Sequence, residues 1–182
     1  MKVNTIILAG GKSSRMGQDK GLMNLNGKPM IQHVIEVAKT KSEEIMIISN
    51  QANYQQFGYK VYPDEIKNKG PLAGIYTGLK HSMTEWNVVL SCDTPFIHPS
   101  LLQFLIAQAQ GCDITILQKN EQIHPLIGIF NKNCLATFKT CLDANELTLK
   151  SVYKKLNLKV VDAHQFHQKM FTNINSKNEL ES

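Results

Sequence analysis

The sequence predicts an α/β fold: one Rossmann-like three-layer domain with a mostly parallel central sheet. Three observations predict it. Short, nearly continuous apolar runs at Val3–Leu8, Ile45–Ile48 and residues 87–91 have the character of strands buried on both faces. Segments with helical apolar spacing separate them, and strand–helix alternation at this interval implies parallel pairing through right-handed crossovers. A length of 182 residues suits one core, so residues 1–182 read as a single domain without repeats or linkers.

The elements follow in order. The first strand, Val3–Leu8, runs into Ala9-Gly10-Gly11, and the stretch to Asp19 is polar. Asn26-Gly27 marks a turn, after which Pro29 opens a helix with Ile31, Val34, Ile35 and Ala38 as its buried stripe. Ile45–Ile48 is the second strand and Lys60–Tyr62 a shorter third. Residues 72–83 read as a helix, 87–91 as the fourth strand, and 99–110 as a helix with Leu101, Leu102, Leu105 and Ile106 inward. Further strands are expected at 114–117 and 126–130, and helices at 133–142 and 149–156. Residues 164–182 form a more polar tail, in which Ser176-x-x-Glu179 resembles a capping box for a last short helix.

Composition removes several classes of function. An apolar fraction of 42% and a charged fraction of 19% are those of an ordinary soluble protein. No apolar run approaches the roughly 20 residues that cross a bilayer, and Met1-Lys2-Val3-Asn4 leads straight into a strand, so no membrane association and a cytoplasmic location are expected. The cysteines Cys92, Cys112, Cys134 and Cys141 lack metal-like spacing and read as small buried thiols. His164-x-x-His167 has no accompanying ligand set; with His33, His81 and His98 it reads as structural or surface. A net charge of +5 points to an anionic partner. Basic residues are not interleaved with aromatics, which argues against nucleic acid and favours a phosphate-rich small molecule.

Ligands of open α/β sheets bind beyond the carboxyl ends of the strands, which selects loops 9–20, 63–71 and 92–98. In the first, glycines allow close backbone approach, Arg15 (the chain's one arginine) offers a planar fork for phosphate oxygens, and Lys20 adds a mobile charge. The alternative is a tight turn with solvated basic residues. Gly11-Lys12-Ser13 mimics the end of a Walker A motif, but its first glycine would fall at Ile6, and no G-x-G-x-x-G follows the strand. In the third loop, Asp93 is a hard oxygen ligand suited to Mg²⁺, or else a turn residue before Pro95. In the second, Asp64 can hold a sugar hydroxyl or base edge, and Gly70 to Gly74 let a helix begin close to a ligand, or simply form a turn.

Taken together these loops resemble the molybdenum cofactor guanylyltransferases, within the nucleotide-diphospho-sugar transferase type of fold. The opening Leu8-Ala9-Gly10-Gly11-x-Ser13-x-Arg15-Met16-Gly17-x-Asp19-Lys20 matches that family's signature almost letter for letter. Gly27-Lys28-Pro29-Met30, Gly70-Pro71-Leu72-Ala73-Gly74, Cys92-Asp93-Thr94-Pro95-Phe96, His124-Pro125 and Asn173-Ile174-Asn175 follow in family order. The resemblance implies that residues from about 1 to 100 bind nucleotide and those from about 101 to 182 bind the acceptor. Leu8, Ala9, Gly10 and Gly11 would contact GTP through the main chain, Arg15 and Lys20 its phosphates, and Asn50 and Asp64 its nucleoside. Asp93 would hold Mg²⁺, and Arg15, Lys20 and Asp93 would form the catalytic set. His124, Pro125, Asn173 and Asn175 would face the pterin.

The implied activity is transfer of GMP from GTP to the terminal phosphate of molybdenum-molybdopterin, releasing pyrophosphate, with possible transient contacts to other cofactor-assembly proteins. Asp19 before Lys20, where related cytidylyltransferases carry proline, favours guanine. Alternatives are cytidylyl transfer to the pterin, nucleotidyl transfer to a sugar 1-phosphate, and a catalytically inactive GTP-binding protein. Asn175-Ser176-Lys177 replaces the family's usual asparagine, threonine, proline, and residues 147–150 lack arginines found in some members.

Overall fold

The computed structural model describes residues 1–10 and 19–175. Gly11, Arg15 and the tail's capping box lie outside the described residues. A seven-stranded sheet runs through the molecule, built from β1 (Val3–Leu8), β4 (Ile45–Ile48), β5 (Lys60–Tyr62), β6 (Trp86–Ser91), β7 (Ile114–Lys119), β8 (Gln122–Asn131) and β9 (Leu158–Asp162). A two-stranded hairpin, β2 (Asn24–Leu25) with β3 (Lys28–Pro29), stands apart from it. Its tip is the predicted turn: Asn26 and Gly27 have φ of 52° and 84°, the pair of positive values that a type I′ hairpin turn requires.

The sheet order is β5-β4-β1-β6-β8-β7-β9. β4, β1 and β6 pair in parallel, as the crossover pattern requires, and all of β1 and β6 is buried. Alternate residues of β1 enter two separate cores. Ile7 packs with α1 (Met30–Ala38) and α3 (Pro99–Ala107), while Ile6 and Leu8 pack with α2 (Gly70–His81), α4 (Leu135–Asp143) and α5 (Leu149–Tyr153). This two-sided burial makes the three layers. The expected stripe of α1 is fully buried, and α2 begins two residues earlier than its apolar spacing suggests because Pro71 fits the first helical turn.

Two features depart from the sequence reading. β8 runs antiparallel to both neighbours, because Asn120 and Glu121 (φ 49° and 62°) form a two-residue turn that folds it directly back on β7. β9, not expected from the sequence, extends the sheet beside β7. As a half-exposed edge with Lys159 and Asp162 it lacks the continuous apolar run that marks the inner strands.

Candidate active site

The carboxyl ends of β1, β4, β5 and β6 surround a cleft of about 640 Å³. Leu8, Ala9, Gly10, Asp19, Lys20, Asn50, Asp64 and Asp93 all line it, so every described residue expected to bind nucleotide reaches one space. Residues 49–51 form a fourth wall, from a loop that the three-loop reading left out although it carries Asn50.

Each wall is held by its strand. Ala9 N–H donates to the Ile48 carbonyl (2.9 Å) and Cys92 N–H to the Leu8 carbonyl (3.0 Å), so the sheet ladder continues into the cleft. Asn50 and Asp64 form a reciprocal pair. Asn50 Nδ2 donates to Asp64 Oδ2 (2.9 Å), and Asp64 N–H donates to Asn50 Oδ1 (3.1 Å). Burial pushes the Asp64 carboxyl above its ordinary range, and the Asn50 amide opposes this only in part.

Lys20 lies in a one-turn 3-10 helix, Lys20–Leu22, capped by Asp19. Its ammonium group donates to Asn175 Oδ1 (2.7 Å) and stands 3.9 Å from Asp93 Oδ2. The other Asp93 oxygen, Oδ1, is buried and has no hydrogen-bond partner among the described residues. A solvent-shielded carboxylate oxygen in that state is costly unless a cation or donor completes it. Asp19 Oδ2 shares this condition in the same cleft, although the sequence marks Asp19 only as a motif residue and as a sign of guanine preference.

A second cavity of about 390 Å³ adjoins the first, with Leu126 lining both. His124, Pro125, Asn173 and Asn175 all line it, so the four residues assigned to the acceptor converge as well. β8 creates this space. Between the pairs Ile116–Gly128 and Leu117–His124 it carries three residues, 125–127, with no partner on β7. Pro125 has no N–H for the ladder, and the bulge turns this segment into a cavity wall. His124 is buried against Phe171, with ring centroids 4.9 Å apart, and burial holds its imidazole below the usual range.

The cleft at the strand ends has room for a nucleotide, and its lysine beside a partly unsatisfied carboxylate, with a second cavity adjoining, suits a nucleotidyltransferase, the class to which the comparisons assign the chain. Residues 5–161 match the family model of the MobA-like NTP transferase domain. The chain is 40% identical over 179 residues to a probable molybdenum cofactor guanylyltransferase of Flavobacterium johnsoniae, covering 98% of this chain and 94% of that one. It is 36% identical over 180 residues to the molybdenum cofactor guanylyltransferase of Vibrio parahaemolyticus, covering 96% and 91%. The crystal structure of molybdopterin-guanine dinucleotide biosynthesis protein A from Archaeoglobus fulgidus superposes with a TM-score of 0.82 at 22% identity, covering 98% and 95%, and shares the fold. This chain belongs to the molybdenum cofactor guanylyltransferase family.

Proposed function

We propose that the protein transfers GMP from GTP to the terminal phosphate of molybdopterin, giving molybdopterin guanine dinucleotide and pyrophosphate. The observation that carries this reading is the meeting of Lys20 and Asp93 in the larger cleft, with Lys20 also bonded to Asn175 of the adjoining cavity. GTP occupies the larger cleft. Its nucleoside meets the Asn50–Asp64 pair and its phosphates meet Lys20, together with Arg15 from outside the described residues. Leu8 C=O and Ala9 N–H are already engaged in the sheet, so main-chain contacts fall to the Ala9 carbonyl and the Gly10 peptide.

The pterin occupies the smaller cavity, against His124, Pro125, Asn173 and Asn175. A terminal phosphate oxygen forms a bond to the α-phosphorus of GTP as the bond from that phosphorus to the β-phosphate bridge breaks. The attacking phosphate is largely ionised near neutral pH, so the protein need not supply a general base. Its task is positioning and charge compensation. Lys20 serves both on the phosphate side. Asp93 fits Mg²⁺ because a buried carboxylate oxygen without a partner among the described residues suits a hard cation. When bound there, the ion supplies charge neutralisation at phosphate oxygens.

The test combines purified protein, Mg²⁺ and molybdopterin with each α-labelled nucleoside triphosphate. Label from GTP is expected on the pterin, and only in the presence of the metal. Label from CTP instead would overturn the guanylyl assignment, and turnover undiminished by chelator would overturn the metal role.

A further inference from the structure

Behind Lys20 lies a buried group of side chains that contact with a nucleotide does not explain. Tyr54 belongs to the 3-10 segment Ala52–Phe57, on the same connection as Asn50, and is fully buried. Its hydroxyl donates to Asp19 Oδ1, which also accepts the Gly21 N–H at 3.0 Å. Gly21 leaves no room for a side chain: a Cβ there would collide with Tyr54 Oη and lie 3.1 Å from Cys92 Sγ. Lys20 stands between Asp19 and Gly21 in the chain, and Cys92 directly precedes Asp93. The hydroxyl therefore holds the segment that carries Lys20, and Cys92 Sγ, next to Asp93, lies close against the same turn.

We propose that Tyr54 is a positioning residue: its hydroxyl clamps Asp19 and so fixes the turn that presents Lys20 to the phosphates beside Asp93. This rests on the nucleotidyl-transfer reading above. The physical need is plain. A three-residue turn has little structure of its own, and a lysine side chain is flexible, so its reach depends on where its Cα is held. Displacements of about 1 Å in such arrangements cost on the order of 100-fold in rate. Burial and the Asp19 carboxylate both raise the phenol far above its ordinary range, so the hydroxyl stays a donor throughout the working pH range. Packing alone would ask for the ring and not for the hydroxyl.

Tyr54→Phe separates these. We expect kcat for transfer from GTP to fall at least tenfold and the calorimetric Kd for GTP to rise at least threefold, with the circular dichroism spectrum unchanged. In a Lys20→Ala background the same substitution is expected to change either quantity less than twofold, because its effect passes through Lys20. Asp19→Asn, which removes the charge that the hydroxyl holds, should give the same pattern and serves if the phenylalanine variant does not fold. A Tyr54→Phe enzyme within twofold of the parent, or equal losses in both backgrounds, overturns the proposal. Absence of GMP transfer by the parent protein would instead sink the functional reading, while the GTP-binding cycle would still report on the clamp.

Discussion

Asp64 shows how a single side chain sets stability against binding. Burial raises its carboxyl above the ordinary value near 3.8, so the folded state holds that proton more tightly than the unfolded chain does. The associated stabilisation is complete below that ordinary value and is lost as pH rises through the folded-state value. At neutral pH the ionised group is therefore a cost, maintained at a site read as holding the nucleoside. Asp64→Asn is expected to raise Tm at pH 7 by about 2–4 °C, with the gain vanishing below pH 4, while GTP binding weakens. Calorimetric scans from pH 3 to 8 would check this; a gain independent of pH would contradict it. Asp64 and Asp93 were legible in the sequence because aspartates just beyond apolar strands lie where α/β ligands bind. Tyr54 was not: nothing local marks a tyrosine whose partner is Asp19, 35 positions away.

At the scale of elements, the inner strands and the buried face of α1 were readable because continuous burial and helical periodicity leave strong local patterns. How closely the layers approach is set by single residues. α2 lies so near β1 that a Cβ at Gly78 would come within 2.5–2.8 Å of three side-chain carbons of Ile6, itself fully buried. Gly78→Ala should therefore destabilise by about 1–3 kcal/mol through overpacking, although alanine is the better helix former. Chemical denaturation measures this, and an unchanged or higher midpoint would mean that the layers separate freely. β8 illustrates what the strand–helix alternation concealed. Its reversal depends on the two-residue turn at Asn120-Glu121, and its bulge after His124 opens the second cavity. Both are hydrogen-bonding choices between strands, invisible to periodicity within either strand.

Across the whole molecule, the end of the described chain returns to the larger cleft. Ile174 N–H donates to the Asp93 carbonyl at 2.9 Å, and the Ile174 side chain is buried with Met23, Leu25 and Met30 near the hairpin. Asn175 then meets Lys20 while also lining the second cavity. The segment read as acceptor-binding thus supports the Lys20–Asp93 pair as well. Ile174→Ala is expected to cost about 2–4 kcal/mol in stability and to weaken GTP binding without removing any residue from the cleft. Denaturant titration and calorimetry would test the two parts; a stability loss with GTP affinity unchanged would show that the strap anchors the fold alone. Among the described residues, no helix is long and apolar enough to cross a membrane.

The amino-acid sequence by itself determined the fold class, the strand-end loops and, through its motifs, the family, because burial patterns and chemically specialised residues are local properties. Only the tertiary structure decided that β8 runs antiparallel, that Asn50 pairs with Asp64, and that Tyr54, Asn175 and Ile174 converge on the segments bearing Lys20 and Asp93. β8's direction is a choice of hydrogen bonding between strands, and for the contacts at the site the reason is distance along the chain, 14 to 155 positions between partners. Contacts that span tens of residues exist only after the sheet has brought its strand ends together.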